Sequence, residues 1–534
     1  MNRIKAYAAR LLIFALVVST APINADYEVQ AAKKPKLSAK KVTIEKGRKK
    51  KVTVKNAKKY KVSWKIKSKK IATFKKNGKY GVKLTAKKVG NTKLVCTLKK
   101  GKKKKTLKCS VQVKEKRYGT VPTQEPTATP KPTLAATPVP TEPSMKGAYK
   151  GLIDNIGTCI NYNAAGGQMQ NADIMEFVDK HFNSITMENE MKPDAVLRST
   201  LITKEEAQKL GYCLDGYEEE KVPRLNLETV FNAMKKAKEH GLRVRAHTLV
   251  WHSQTPEWFF REGYKSSGAY VDVETMNARL EFYVRTMISQ VCAKEKELTG
   301  EVGSIVYAWD VVNEYIHRSS GNWMGVYGNM RLEPSYVKDA FRYAYDELKK
   351  AGAENKVSLI FNDYDTYFNV EDEIAVVNFI NEGEEAKICS GIGMQSHVDI
   401  KRPTIEEYKT ALQAFLNAGL EVQITELDIT INFDSDTPTW NYRDEGETDE
   451  EQAAFTKDFM KMIIDVQRSR NTNVSPKGIT GITVWGLYDE ISWRSARNPL
   501  FFKGTSTTDP VTGETRYDIQ PKGSFYSFIE APGK

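Results

Sequence analysis

The order of apolar and polar residues divides the chain into two parts with different periodicities. Between residues 37 and 113, apolar residues alternate with polar ones, as in Val52-Thr-Val54 and Val62-Ser-Trp64. Alternation with period two, interrupted by turns such as Asn77-Gly78, is typical of antiparallel strands with one solvated face. Six or seven strands in about 80 residues predict a small β-sandwich.

From residue 146 onward the pattern changes to amphipathic helices that end at a glycine and are followed by a short apolar strand. Residues 227–240 form one such helix, with Gly241 after it and a strand at 243–248. Another helix opens with the capping box Thr404-Ile-Glu-Glu407 and stops at Gly419. Helices alternating with strands predict parallel strands joined by crossover helices.

The part of the chain from residue 146 onward contains eight predicted strands. They are residues 156–160, 182–186, 244–248, 305–309, 358–361, 391–394, 422–425 and 482–485. Eight such units predict a (β/α)8 TIM barrel, whose active site lies at the C-terminal ends of the strands. A doubly wound sheet is the alternative, but it would usually carry a Gly-rich phosphate loop after an early strand, and the sequence has none.

The first 31 residues predict an export signal. Arg3, Lys5 and Arg10 precede an apolar run at 11–18, which is too short to cross a bilayer as a stable helix. Cleavage after position 21, 25 or 31 would each leave a small residue at the cut. We therefore expect secretion, without a membrane span.

Charge and composition refine this division. Residues 33–117 carry 35 Lys plus Arg against Glu45 and Glu115, so with a total of +16 the rest of the chain has a net charge of −17. The predicted domains are a Lys-rich β-sandwich at 32–118, a Pro/Thr-rich linker at 119–145 and the barrel at 146–534.

A polycationic segment can bind nucleic acid, but export and the acidic remainder argue against that partner. An anionic wall polymer or acidic polysaccharide is the partner that fits an exported chain. The alternative is that the lysines only keep edge strands apart and soluble.

Cys96 and Cys109 flank the turn at Gly101. If Leu98 pairs with Leu107, the two cysteines face each other within reach of a disulfide. A disulfide and two free thiols are equal alternatives from the sequence. Four other cysteines have no spacing of ligands or nucleophiles and are expected to be mostly buried thiols: Cys159, Cys213, Cys292 and Cys389.

Polar and aromatic side chains follow almost every predicted barrel strand. They are Glu188, Asn189 and Lys192; His247, Trp251 and His252; Asn313 and Glu314; Asn362 and Asp363; Gln395 and His397; Glu426 and Asp428; and Trp485 and Trp493. Acids, amides and tryptophans at one end of a barrel make a cleft that binds hydroxyls and stacks on sugar faces. A zinc hydrolase could use the histidines, but no His-Glu-x-x-His motif is present, so neither a metal nor another cofactor is predicted.

Two resemblances add to this reading. Residues 69–74, 84–90 and 109–113 resemble bacterial immunoglobulin-like repeats. Six motifs, in the family's order and spanning nearly all of 146–530, closely resemble glycoside hydrolase family 10, the retaining endo-β-1,4-xylanases. They are residues 181–193, residues 245–252, Trp309-Asp-Val-Val-Asn-Glu314, Gln395-Ser-His397, Ile424-Thr-Glu-Leu-Asp428 and Trp485-Gly-Leu-Tyr-Asp489.

The second resemblance implies roles for named residues. Glu314 would be the general acid/base and Glu426 the nucleophile, with two carboxyl groups about 5 to 5.5 Å apart as retaining hydrolysis requires. The remaining roles would be the 2-hydroxyl contact (Asn313), orientation of the nucleophile (His397), substrate binding on the non-reducing side (Glu188, Asn189, Lys192, His247 and Gln395), and the walls and floor of the subsite beside the scissile bond (Trp485, Trp493 and Trp251).

The resemblance also has departures. Ala246 stands where the family usually has glycine, and residues 198–223 contain an extra acidic segment that puts the preferred substrate length in doubt. We expect a monomeric xylanase acting on xylan or xylo-oligosaccharides. The alternatives are a β-1,4-glucanase of the same barrel type and a non-catalytic polysaccharide-binding or wall-attachment protein.

Overall fold

The computed structural model describes residues 34–46, 49–101, 103–114, 143–162, 167–317, 321–431, 447–508 and 515–533. The chain divides into two compact units, residues 1–135 and 136–534, and each is described here by itself. The predicted signal peptide and most of the predicted linker lie outside the described residues. The domain boundaries proposed from the sequence therefore stay predictions.

The first unit is a sandwich of two four-stranded sheets, as the alternating pattern predicted. Their orders are β1-β3-β6-β5 and β2-β8-β7-β4. The strands are β1 (Lys36–Leu37), β2 (Lys41–Glu45), β3 (Lys49–Lys55), β4 (Lys61–Ile66), β5 (Ala72–Asn77), β6 (Gly81–Ala86), β7 (Gly90–Lys100) and β8 (Lys103–Lys114). The inward residues Val52, Val82, Leu84 and Leu94 are completely buried, whereas most lysines of the same strands are exposed.

The predicted register of the β7–β8 hairpin is wrong by two residues. Lys100 pairs with Lys103, so the turn at Gly101 is tight, with φ of +56° at the glycine. Cys96 consequently faces Leu107, and Cys109 faces Leu94. Cysteines related by such a diagonal have Cα atoms about 7–8 Å apart, beyond the usual span of a disulfide. Both are buried free thiols, and burial raises the pKa of the Cys96 thiol to about 11.

The second unit is a closed barrel of eight parallel strands, and it confirms the predicted (β/α)8 fold. Pairing runs around the ring and closes through β16–β18, while β17 (His397–Asp399) extends the far end of β18. The barrel strands are β9 (Asn155–Ile160), β10 (Ser184–Met187), β13 (Arg243–Trp251), β14 (Val306–Asn313), β15 (Ser358–Asp363), β16 (Gly391–Met394), β18 (Glu421–Thr430) and β19 (Ile479–Val484).

A helix follows each barrel strand and packs its apolar face on the outside of the ring. These crossover helices are α2 (Ala172–His181), α5 (Glu228–Glu239), α6 (Val273–Thr299), α8 (Ser335–Lys350), α9 (Val370–Asn381), α10 (Ile405–Asn417), α11 (Asp449–Ser469) and α12 (Gly523–Glu530). The capping box predicted at Thr404 and Glu407 is present at the start of α10. Gly419, just after α10, has φ of +75°, a conformation that glycine adopts without steric cost.

Short elements complete the unit. The helices are α1 (Met145–Ala148), α3 (Pro193–Val196), α4 (Lys204–Lys209) and α7 (Asn322–Tyr327), and single 3-10 turns occur at Gln168–Gln170, Glu257–Phe260, Glu262–Tyr264, Thr366–Phe368, Asp489–Ile491 and Ser495–Arg497. A hairpin of β20 (Phe502–Thr508) and β21 (Thr515–Pro521) precedes α12. In the described part of the chain, no helix is both long and apolar enough to cross a bilayer.

The extra segment after β10 has its own structure. β11 (Leu197–Thr203) and β12 (Lys221–Leu225) pair as antiparallel strands, and α4 lies between them in sequence. A second capping box, formed by Thr203 and Glu206, opens α4. The acidic residues of the segment are consequently helix caps and solvated positions, apart from Glu219, which accepts two hydrogen bonds from the buried Arg279.

Candidate active site

The residues predicted from the strand ends converge on one cleft of about 380 Å³. Its lining contains both carboxylates and all predicted substrate-binding residues except Asn189, which is exposed and lies outside it: Glu188, Lys192, His247, Trp251, Asn313, Glu314, Gln395, His397, Glu426, Trp485 and Trp493. Most of these side chains lie in the second half of a barrel strand or in the loop that follows it, so the cleft is at the C-terminal end of the barrel.

Glu426 lies near the middle of the long strand β18 and is buried. Burial by itself would raise the pKa of its carboxyl group. The hydrogen bond from His397 Nε2 (3.2 Å), the neighbouring His247 and the amide of Asn362 (2.9 Å) outweigh burial and lower this pKa to about 2. Glu426 is therefore a carboxylate at any pH near neutrality, as a nucleophile must be.

His397 is held by a second carboxylate on the other side of its ring. Its Nδ1 donates to Asp428 Oδ2 at 2.8 Å, and Asp428 also accepts from Trp493 Nε1 and from Arg494, both at 3.1 Å. Burial would lower the pKa of His397, but Asp428 and Glu426 together raise it to about 9. The ring is consequently a cation that donates from both nitrogens, one to each carboxylate.

Glu314 follows directly after β14 and has a different environment. Its backbone has φ of +57°, a left-handed conformation that a non-glycine residue rarely adopts, and its amide N–H donates to the Asn362 carbonyl at 2.8 Å. Trp251 Nε1 donates to one carboxyl oxygen at 2.8 Å, and Gln395 Nε2 donates to the other at 3.1 Å. These donors are uncharged, in contrast to the cationic donor on Glu426. A strained backbone at this position is typical of a functional residue.

Three amides connect the two carboxylates. Asn313 Oδ1 accepts from Asn362 at 2.8 Å and from Gln395 at 3.1 Å. Asn362 also reaches Glu426, and Gln395 also reaches Glu314. Because both bonds use the carbonyl oxygen of Asn313, the orientation of its amide is fixed with the NH2 group as the end that remains for a ligand.

His247 is oriented by a buried ion pair inside the barrel. Its Nδ1 donates to Asp310 Oδ2 at 2.8 Å, and Asp310 also receives two hydrogen bonds from the guanidinium of Arg245. Arg245 Nε donates to Gln423 at 2.9 Å. All of these side chains are almost completely buried, so the polar interior of the barrel fixes which nitrogen of His247 faces the cleft.

On the side of strand β10, Lys192 brings a buried positive charge to the cleft. Its Nζ donates to Asn189 at 3.2 Å and to Gln254 at 2.9 Å, and lies 4.9 Å from the centre of the Trp251 ring. Asn189 therefore acts on Lys192 in this structure, and Glu188 lines the cleft beside them.

Two tryptophans bound the opposite side. Trp485 is only 8% exposed and its ring meets His247 edge-on at 5.6 Å, whereas Trp493 is 59% exposed. The nearly buried ring and the largely exposed one both offer flat aromatic surfaces on which a sugar can stack.

Sequence reasoning did not assign several residues that the structure places at the cleft. Tyr364, Asp365 and Arg494 line it, and Asn362 holds Glu426. The sequence pattern does place Asn362 and its neighbour Asp363 after strand five, but it assigns no role to either residue. Nothing in the pattern around Arg494 distinguished it from a surface cation.

Each of the three histidines considered as metal ligands lies beside a different carboxylate. Among the described residues, no group of three or more His, Cys, Asp or Glu side chains is arranged to hold a metal ion. His252 Nε2 lies 3.8 Å from Glu314, and His247 and His397 bond to Asp310 and Asp428.

A (β/α)8 barrel whose cleft brings together two carboxylates, amide side chains and tryptophan rings is the arrangement of a glycoside hydrolase. The chain belongs to a specific family of that class. Residues 144–514 match the model of Glycosyl hydrolase family 10, so the resemblance found in the motifs is confirmed.

The chain matches two curated xylanases over segments of similar length. The chain is 39% identical over 365 residues to Endo-1,4-beta-xylanase A of Butyrivibrio fibrisolvens, a match that covers 67% of this chain and 80% of that protein. It is 33% identical to the bifunctional endo-1,4-beta-xylanase XylA of Ruminococcus flavefaciens over 69% of this chain, but that match spans only 33% of the relative.

Solved structures agree with the architecture. A mutant structure in complex with xylotriose is 26% identical, with a TM-score of 0.51, over 72% of this chain and 99% of that chain. A bacterial Ig-like domain containing GH10 xylanase from termite gut covers 92% of this chain and 98% of its own, with a TM-score of 0.51. At 20% identity the latter is a likeness of fold, and it agrees with an immunoglobulin-like sandwich before the barrel.

We predict that Asp310→Asn destabilises the barrel by about 3–5 kcal/mol, because it leaves the guanidinium of Arg245 buried without a counter-ion. Unfolding in urea, followed by tryptophan fluorescence, measures this. Seven of the eight tryptophans belong to the second unit, so the signal reports mainly on the barrel.

Asp465→Asn is the matched control for this change. Asp465 pairs with Lys461 at 2.6 Å, but both side chains are more than half exposed, and such pairs contribute between 0 and about 1 kcal/mol. Equal stability of the two variants would contradict the structural role given to Asp310.

Proposed function

We propose that the protein is a secreted endo-1,4-β-xylanase that hydrolyses internal β-1,4-xylosidic bonds of xylan by a retaining double displacement. Membership of the family supports this, as do the xylanase relatives and the xylotriose complex of a related structure. The main observation behind it is that one cleft holds two carboxyl groups in different surroundings. Glu426 has a lowered pKa, and Glu314 accepts hydrogen bonds from Trp251 and Gln395.

In the first step, Glu426 attacks the anomeric carbon of the sugar and Glu314 donates its proton to the leaving oxygen. The glycosidic C–O bond breaks, a glycosyl ester of Glu426 forms, and the shortened chain leaves as a neutral alcohol. Because its pKa is low, Glu426 is ionised and can act as the nucleophile. The same low pKa makes its carboxylate a good leaving group when the ester is broken in the next step.

In the second step, the Glu314 carboxylate takes a proton from water, and the water oxygen attacks the same carbon. The ester bond breaks, Glu426 returns as a carboxylate and Glu314 as an acid. Two inversions give net retention. The free NH2 end of Asn313 supports a bond to the sugar 2-hydroxyl that strengthens as the transition state forms.

Substrate selection in this proposal depends on the wall beside the scissile bond. Xylose lacks the hydroxymethyl group of glucose, and the nearly buried ring of Trp485 leaves little room for such a group. The polar side formed by Lys192, Glu188 and His247 would bind ring hydroxyls of the non-reducing part of the chain. A β-1,4-glucanase is the alternative activity.

Secretion and a monomeric state are part of the same proposal, and the cationic sandwich supports binding to an anionic polymer outside the cell. The predicted export signal in the first 31 residues supports release into the medium. The 35 cationic residues at 33–117 support retention near anionic polymers.

The direct test of substrate class is reducing-sugar release from xylan and from carboxymethylcellulose under the same conditions. We expect kcat/KM on xylan to be higher by at least about tenfold, because one extra substituent in a closed subsite costs roughly 10- to 200-fold. Preference for carboxymethylcellulose would replace the xylanase by the glucanase.

The roles of the two carboxylates predict different rescue chemistry. Glu426→Ala should lower the rate by at least about 10⁴-fold, as loss of a nucleophile does. With an aryl β-xylobioside that needs no acid assistance, azide should react directly with this variant and give the α-glycosyl azide. With Glu314→Ala, azide should react with the glycosyl ester and give the β-azide. Nuclear magnetic resonance of the products distinguishes the two, and the opposite assignment would interchange the roles.

The cationic His397 predicts a change in pH dependence. In His397→Asn the pKa of Glu426 should rise, because a charged donor within hydrogen-bond distance is lost, and the acid limb of kcat/KM should move up by about one pH unit or more. His240→Asn removes a histidine that pairs with Asp179 on the surface at 2.7 Å and should leave the limb in place. An unchanged limb in His397→Asn would show that another group keeps Glu426 ionised.

A further inference from the structure

A second concave site lies on the sandwich, far in sequence from the catalytic residues. It is a cavity of about 920 Å³ lined by Tyr60, Trp64 and seven lysines from residues 58–61, 76–79 and 99–101. We call it the lysine groove. It forms where the edge strand β4 meets the β5–β6 turn and the tip of the β7–β8 hairpin.

The floor of the lysine groove is aromatic. Trp64 and Tyr60 are half-buried, with one part of each side chain packed on the small core that includes Val54 and Leu98. They are therefore held rigidly while the rest of each side chain lines the groove. Flat aromatic surfaces of this kind suit the faces of sugar rings.

Acidic residues are rare in the sequence around the lysine groove. Residues 34–114 contain a single acidic residue, Glu45, and the described residues that line the groove include no acid. In the β4–β7 pairing, Lys61 lies directly opposite Lys99. Like charges at facing positions destabilise a sheet, so a bound polyanion would relieve this repulsion.

Separating edge strands explains why lysines occur on β4, but it does not require aromatic rings beneath them or a concave surface. A wall polymer of alternating alcohols and phosphates would satisfy the lysines and would leave the rings without a partner. A neutral xylan would do the reverse. A polysaccharide with carboxylates uses both features.

We propose that the lysine groove is a non-catalytic binding site for uronic-acid-substituted xylan, with pyranose rings on Trp64 and Tyr60 and carboxylates on the surrounding lysines. The choice of xylan as the acidic polysaccharide rests on the proposed function. The groove would hold the enzyme on the acid-bearing regions of its substrate.

The test uses the full chain with Glu426→Gln, so that substrate is retained, on immobilised glucuronoxylan. The groove variant Lys61→Gln/Lys79→Gln/Lys99→Gln should weaken binding by at least about tenfold at low ionic strength, as loss of three ion pairs does. The difference should vanish in 1 M salt, where the Debye length is about 3 Å.

Lys50→Gln/Lys87→Gln/Lys88→Gln is the matched control. These lysines are exposed and lie outside the groove, and replacing them lowers the net charge by the same amount as the groove variant does. We expect less than about a threefold change. Equal losses in the two triple variants would overturn the proposal, because binding would then follow net charge alone.

Tyr60→Ala tests the aromatic floor without changing charge. It should weaken binding about fivefold, with the melting transition of the sandwich used to confirm folding.

Glucuronoxylan whose carboxyl groups have been reduced to alcohols should lose the groove-dependent part of binding. Undiminished groove-dependent binding to the reduced polymer, or stronger groove-dependent binding to phosphate-rich cell walls, would each reject this ligand.

Hydrolysis of xylohexaose keeps this proposal separate from the catalytic one. With Glu426 intact, the groove variant should hydrolyse this neutral oligosaccharide at the rate of the unaltered protein. Failure of the unaltered protein to cleave it would reject the proposed function, whereas the groove is judged by the binding experiments alone.

Discussion

A carboxylate with almost no contact with solvent has to be kept ionised by its neighbours, and the cleft is built around that requirement. Glu426 is buried on β18, and its charge is stabilised by a cationic His397 and the amide of Asn362. His397 is a cation only because Asp428 holds its other nitrogen, and Asp428 is in turn held by Trp493 and Arg494. These contacts come from four segments on one side of the barrel, so the ionisation of Glu426 depends on the pairing of β15, β16, β18 and β19.

The same dependence explains why Glu314 can differ from Glu426 although both lie in one cleft. Trp251 and Gln395 bind Glu314 through neutral donors, and the amides of Asn313 and Asn362 fix the spacing between the two acids without adding charge. The two carboxylates therefore have different hydrogen-bond donors although they share one cleft.

Much of this could be predicted because the signals are local or depend only on topology. The capping box at Thr404 and the glycine at 419 bound a helix, and the apolar runs ending at Glu314 and Glu426 mark two strands. Once eight such strands close a barrel, their C-terminal residues must meet. The motifs then assigned roles that periodicity alone could not.

What could not be predicted depends on side-chain geometry and register. The pairing of Cys96 differed from expectation because the hairpin turn at Gly101 is two residues long, and no pattern in a run of lysines fixes that length. Arg494 reaches Asp428 through a loop whose path has no periodicity. The lysine groove likewise joins edges of two different sheets, which the one-dimensional alternation of apolar residues cannot locate.

In the proposed mechanism, Glu426 forms a covalent bond to the sugar. The direct measurement is peptide mapping by mass spectrometry after reaction with a 2-fluoro-xylobioside that has an activated leaving group, since the fluorine slows breakdown of the glycosyl ester. We expect one added glycosyl group on the peptide that contains Glu426. A glycosyl group on Glu314 instead, or turnover to a product of inverted configuration with no labelled peptide, would contradict it.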